Sequence, residues 1–326
     1  MKRLLTGLAC LAVALFLAIA LGEQPIPPRA VMAALLYPDE APVQHVFIIH
    51  TLRLPRAVLA ALVGAALGVA GTITQAVMRN PLAEPGLLGI NGGAALAALA
   101  IMLWLPGTSA TLVPAAALAG ALAAATAIYA LSWRGGIGPQ RVILIGLGCG
   151  AFMGAGTSFL SAFGEVTAVQ RAMLWLSGSF TGSGWRAVLG VALTLAPLLA
   201  LAWIFARVLD LLAMDEAVAR GLGLRVQAAR AAIVAIGALL CGASVAAAGP
   251  VGFIGLMAPH LARRITGPTH AALIPAAALA GALLLLLADV AGQNVIAPNA
   301  IPAGIMAALM GAPFFAWLMW KGRHDG

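Results

Sequence analysis

The chain has 326 residues, of which 63% are apolar and only 9% charged, with a mean hydropathy of +1.04. A soluble core of this size does not need so much apolar surface, so composition excludes a soluble domain and defines an all-α polytopic membrane protein. Lys and Arg number 18 against 10 Asp and Glu, but they lie scattered singly between apolar runs, which argues against a nucleic-acid-binding face and makes them topology signals.

The first apolar run, Leu4 to Leu21, follows a basic start as in a signal peptide. It reaches the length of a spanning helix, and no small-x-small cleavage site follows it cleanly, so it is expected to be the first span. Residues 23–51 contain PIPPRAVMAALLYPDEAP, where a Pro-rich start and a Pro-Asp-Glu end bracket a short amphipathic helix expected along the outer membrane surface. Further spans are expected at 57–77, 86–104, 111–131, 142–162, 187–206, 229–248, a shorter one at 250–262, 272–291 and 301–320, about ten transmembrane helices within one domain covering 1–326.

With Lys2 and Arg3 cytoplasmic, alternation puts Arg79, Arg134, Arg141, Arg207, Arg220, Arg225, Arg230, Arg263, Arg264, Lys321 and Arg323 inside as well. It leaves only Arg29, Arg53, Arg56, Arg171 and Arg186 outside. Both termini are therefore expected in the cytoplasm, since losing one span would reverse every later loop. The Pro/Gly/Asn-rich break at 80–93 falls at the cytoplasmic end, where it must be packed in protein because lipid cannot satisfy its backbone. The inside segment 207–230, RVLDLLAMDEAVARGLGLRVQAAR, is the most charged stretch and reads as a polar helix–Gly–helix suited to receiving a cytoplasmic partner. GAALGVAGTI at 64–73 resembles GALLCGASVA at 237–246, consistent either with an inverted repeat of two five-helix halves or with small residues favoured for helix packing generally.

Neither lysine, Lys2 or Lys321, lies in a GxxxxGK[ST] loop, so the chain carries no Walker-type phosphate cradle. Cys10, Cys149 and Cys241 all fall in expected spans, so neither disulfides nor metal ligation is inferred, and no cofactor is expected. Asp289 is the acid set deepest in an apolar run. An intramembrane acid can mark an ion or proton path, but its place near the outer end of its span favours capping a neighbouring helix start.

RLPR at 53–56, GAALGVAG at 64–71, NPLAEPGLLGINGG at 80–93, GPVGFIGLMAPHLARRITG at 249–267, LLLLADVAG at 284–292 and IPAGIMAALMGAPFFAWLM at 301–319 together strongly resemble the FecCD family, in order and along essentially the whole chain. The resemblance implies a ten-helix permease subunit of an ABC importer for ferric siderophores, haem or cobalamin, in the bacterial cytoplasmic (inner) membrane. It implies pairing with a second permease copy or a similar paralogue, docking of two ATPase subunits inside, and delivery of cargo by a periplasmic or lipoprotein substrate-binding protein outside. It makes the chain a transport subunit and not an enzyme, ATP hydrolysis being supplied by the separate ATPase.

Carried over by residue, the outer docking arginines match Arg53 and Arg56. Two cations at a helix start sit against its positive dipole end, which an acidic partner would relieve, and Pro55 is expected to project both to one side. The alternative is anchorage to lipid phosphates. Gln293 stands where many members have Arg, and Ala300 departs from the usual acidic pattern. Asp215, Glu216, Ala217, Arg220, Gly221 and Gly223 fall in the ATPase-coupling segment, where a rigid helix and a tight Gly turn transmit motion. His260 invites a haem-ligand reading but is assigned a structural or gating role, and Met153, Met173 and Met257 are read as packing.

The expected cargo order is ferric siderophore, then haem, then cobalamin or an oxyanion, because QRAMLWLSGSFTGSGW at 170–185 resembles the siderophore permeases more than the cobalamin branch. Thr72, Thr74, Gln75, Thr157, Ser158 and Ser161 are candidate translocation-path positions. The rival readings are a gradient-driven secondary transporter and a membrane-embedded assembly protein.

Overall fold

The structure, a computed structural model, describes residues 2–22, 24–105, 112–133 and 139–322. Glu23, Arg134 and Arg323 lie outside the described residues. Among those described, every regular element is helical: α1 (Lys2–Ala20), α2 (Pro28–Leu36), α3 (Val43–Phe47), α4 (Leu54–Met78), α5 (Ile90–Trp104), α6 (Leu112–Leu131), α7 (Pro139–Phe163), α8 (Val166–Leu176), α9 (Trp185–Ile204), α10 (Ala206–Ala213), α11 (Glu216–Gly221), α12 (Val226–Ala248), α13 (Ile254–Thr266), α14 (His270–Asn294) and α15 (Ala303–Gly322). Among the described residues, eight helical stretches are long and apolar enough to cross a membrane, and α5 is a shorter apolar helix. The 13-residue α13 is shorter still, the place where the sequence predicts a short span.

The outer segment differs from the single amphipathic helix expected. It forms α2 and α3, then a π-helical turn, Ile48–Arg53, that runs directly into α4. The cause is Pro55: a proline cannot donate to the carbonyl four residues back, and the chain accommodates it by widening the turn before it. Val31 and Ala34 of α2 are buried in a small cluster with Ile19, Ala20 and Ile49, so this segment packs on the end of α1.

The core is α4, buried along nearly its whole length, with α14, α12 and α13 against it. Close approach is possible because the facing positions are small. A Cβ on Gly64 would fall 2.3 Å from the Gly281 carbonyl oxygen, and one on Gly71 only 1.8 Å from that of Gly255. The Gly255 carbonyl has lost its usual donor, since residue 259 is a proline, so the Gly71 Cα–H faces an oxygen that its own helix cannot satisfy. The 80–93 break is packed in protein as expected: a 3-10 turn, Pro85–Leu88, delays α5 to Ile90.

Candidate functional sites at the two ends of the bundle

Twenty-five residues of α4 separate its ends by about 37 Å, at about 1.5 Å per residue, and a polar cluster sits at each. At the α4 N-terminal end, Arg56 donates from Nε to Asp289 Oδ2 at 2.9 Å and from Nη2 to Oδ1 at 2.8 Å. Gln293 Nε2 donates to the same Oδ2 at 2.8 Å. The Asp289 side chain is 2% exposed and that of Arg56 17%. The expectation that Asp289 caps a helix start is therefore corrected. Its carboxylate takes a bidentate guanidinium and an amide, which supply the partners an ionised acid at this depth needs. The signal was a single acid in α14 with glutamine one turn on, facing the first turn of α4.

Arg53 takes different partners. Its Nη1 donates to the Ile19 carbonyl at 2.7 Å and to that of Ala20 at 3.2 Å, and its Nη2 to Gln24 O at 2.6 Å. It thereby caps the C-terminal end of α1 and ties the outer segment to α4. The two arginines thus stand one turn apart but are drawn to separate neighbours.

At the opposite end lies 207–230. Asp215 is the N-cap of α11 and accepts from the Ala217 N–H at 2.8 Å. Glu216 accepts from Arg220 at 2.6 Å and from Arg230 of α12 at 3.4 Å. Gly223, at φ +83°, closes the turn after α11 in a conformation that favours glycine, whereas Gly221 stands in open space. Val218 within α11 is exposed, as are Met214 just before its N-cap and Leu222 at its C-cap, so three apolar side chains face outward in and beside this short helix.

Three contacts tie that segment to the core, and sequence reasoning missed all of them. Asp210 of α10 accepts from the backbone N–H of His270, the first residue of α14, at 3.0 Å, and its Oδ1 lies 2.6 Å from His270 Nδ1, the nitrogen that therefore carries the proton. Arg79 Nε donates to the Leu212 carbonyl at 3.2 Å, linking the end of α4 to α10. Arg230 of α12, counted from sequence only as an inside charge, holds Glu216. Nearby, Glu84 in the break accepts at 2.5 Å from the N–H of Phe253, a bulky residue at φ +67° that opens α13. The carboxylate sits at the positive end of that helix and offsets part of the backbone strain. Burial raises the Glu84 carboxyl above its ordinary range, and the Phe253 N–H opposes that rise.

The candidate path residues divide between two helices. Thr72, Thr74 and Gln75 are buried in α4; the two hydroxyls bond their own helix at the Gly68 and Ala70 carbonyls, and Gln75 Oε1 accepts from Arg263 at 3.3 Å. Thr157, Ser158 and Ser161 lie on α7, where Ser158 is exposed and Thr157 and Ser161 are partly so. His260 meets the Phe314 ring edge-on at 5.6 Å, a packing contact.

A bundle of membrane-length apolar helices, with a braced polar helix at one end and two separately held arginines at the other, fits a multi-pass membrane transport subunit. The sequence profile of the FecCD transport family matches residues 10–321, and the chain belongs to that family. It is 41% identical to the Achromobactin transport system permease protein CbrC of Dickeya dadantii, covering 98% of this chain and 92% of that one. It is 37% identical to the Iron(3+)-hydroxamate import system permease protein FhuG of Bacillus subtilis, covering 95% and 94%. A solved structure described as an inward-facing conformation of a metal-chelate type ABC transporter superposes with a TM-score of 0.87 at 26% identity, over 98% of this chain and 99% of that one.

Proposed function

We propose that this chain is the membrane-spanning permease of an ATP-driven ABC importer of the bacterial inner membrane, passing a ferric siderophore from an external binding protein to the cytoplasm. The observation that carries the reading is the whole-length correspondence: the fold of a metal-chelate ABC transporter combined with close relatives named for achromobactin and iron(3+)-hydroxamate transport.

The geometry supports a division of labour between the two ends. The exposed apolar residues in and beside α11, held by the Asp215 cap and the Gly223 turn, receive an ATPase subunit, one on each of two permease copies. A push on α11 reaches α12 through Glu216 and Arg230, α14 through Asp210 and His270, and α4 through Leu212 and Arg79. Asp215, Glu216, Ala217, Arg220, Gly221 and Gly223 are the residues of this coupling face. Arg53 and Arg56, at the far end of α4, meet the acidic surface of the binding protein by sharing guanidinium donors that their internal partners leave over. Cargo passes along the open side of α7, past Thr157, Ser158 and Ser161. The buried Thr72, Thr74 and Gln75 border it only if α4 moves.

The experiment is binding-protein-dependent uptake into proteoliposomes holding permease and ATPase, comparing a ferric siderophore with haem and cobalamin. Uptake of the siderophore above the other two supports the assignment, and uptake of haem or cobalamin alone overturns it.

A further inference from the structure

A groove of about 1100 Å³ opens between the N-terminal end of α1, the C-terminal end of α9 and the turn from α13 to α14. It exceeds the about 300–1,000 Å³ of ordinary small-molecule sites. Leu199, Trp203, Ile265, Ile274 and Pro275 wall it, and among the described residues no acid lines it. Its polar atoms are largely spent within the protein. Pro275 cannot donate to the Ala271 carbonyl, and the Trp203 indole N–H takes that place at 3.0 Å. The Thr266 hydroxyl donates to the Ala262 carbonyl of its own helix at 3.0 Å.

Arg3 is the exception. It is exposed at the groove, its Nη1 donates to the Ile265 carbonyl in the last turn of α13, and among the described residues no acid forms an ion pair with it. A guanidinium offers five N–H donors, so one bond to a carbonyl leaves capacity for the oxygens of an anion. The groove therefore combines a long apolar wall with one cation at one end.

We propose that it holds an anionic phospholipid, with the phosphate on Arg3 and an acyl chain laid between α1, α9 and α14. The placement of Arg3, the end of α9 and the start of α14 at one membrane face makes this a lipid of a single leaflet, the cytoplasmic one in the topology expected from the basic residues. The site rests on the chain spanning a membrane and not on the cargo or on ATP coupling.

Native mass spectrometry of the full chain in neutral detergent tests it, with phosphatidylglycerol and phosphatidylcholine of identical acyl chains as probes. Phosphatidylglycerol is retained about five-fold better, the factor expected from one surface cation. Arg3→Ala removes the preference and Arg3→Lys keeps it. Ala272→Phe, at an exposed position lining the groove, lowers retention while leaving Arg3 intact, and so stands independently of any effect of Arg3 on folding. Equal retention of the two lipids overturns the site. So does wild-type phosphatidylglycerol retention in a folded Arg3→Ala or Ala272→Phe chain, or its displacement by inorganic phosphate.

Discussion

Arg56 grips both carboxylate oxygens of Asp289, at 2.9 and 2.8 Å, across sequence positions 233 apart, and in doing so fastens the first turn of α4 to the last turns of α14. Removing the cation leaves a carboxylate buried and short of partners. Arg56→Met is expected to destabilise the chain by about 3–5 kcal/mol, while Arg56→Met with Asp289→Leu recovers most of the loss. Thermal unfolding in detergent measures the cycle. The double variant also separates bracing from docking: with stability restored, affinity for the binding protein stays low and loses its salt dependence if Arg56 contributes a docking cation.

Gly71 is the tightest small-residue contact in the core. Gly71→Ala places a methyl group on the Gly255 carbonyl, and α4 and α13 must part to admit it. A loss of about 1–3 kcal/mol or more is expected. Gly154→Ala on α7 has nothing within 4 Å and serves as the matched control with no measurable loss. Equal unfolding temperatures for the two variants would contradict the packing described.

Glu216 joins α11 to α12 through Arg230. Glu216→Ala is expected to leave ATPase subunits bound and hydrolysing ATP while cargo moved per ATP falls. Gly223→Ala strains the turn by about 1–2 kcal/mol and weakens coupling through the shape of α11. Gly221→Ala meets nothing within 4 Å among the described residues beyond its own helix and chain neighbours, so a loss of coupling there is expected to report direct contact with the ATPase subunit. Simultaneous measurement of ATP hydrolysis and uptake distinguishes the three.

Glu84 predicts a pH dependence. A carboxyl raised by burial keeps its proton to higher pH in the folded chain than in the unfolded one. Its contribution is complete below the ordinary value of 4.5 and is lost as pH rises through the raised value. Glu84→Gln keeps an acceptor for the Phe253 N–H and removes that loss, so its stability relative to the parent chain is greater at pH 8 than at pH 5. An advantage independent of pH would contradict the burial-driven shift.

Much of this fold was legible in the sequence because lipid imposes one length and one composition on every span, so apolar runs located the long helices to within a few residues. Helix starts were less legible where the backbone departs from the α-form: Pro55 widens a turn, Pro85 opens a 3-10 turn, and Phe253 adopts a left-handed conformation. The 207–230 segment stood out by its charge, and its cap and glycine turn followed local rules. The clamps that anchor it did not, since Arg79 with Leu212, Asp210 with His270 and Glu216 with Arg230 are tertiary pairings that periodicity in uniformly apolar helices does not encode. Asp289 is conspicuous in sequence as an acid in an apolar run, but its partner is not legible there for the same reason: Arg56 lies 233 residues away.

Transport through this chain is expected to be driven by a separate ATPase. Reconstitution of the permease into proteoliposomes, with binding protein and ferric siderophore, measures it directly when ATPase and ATP are added or withheld. Accumulation only when ATPase, ATP and binding protein are all present is the predicted result, and accumulation driven by an ion gradient without the ATPase would contradict it.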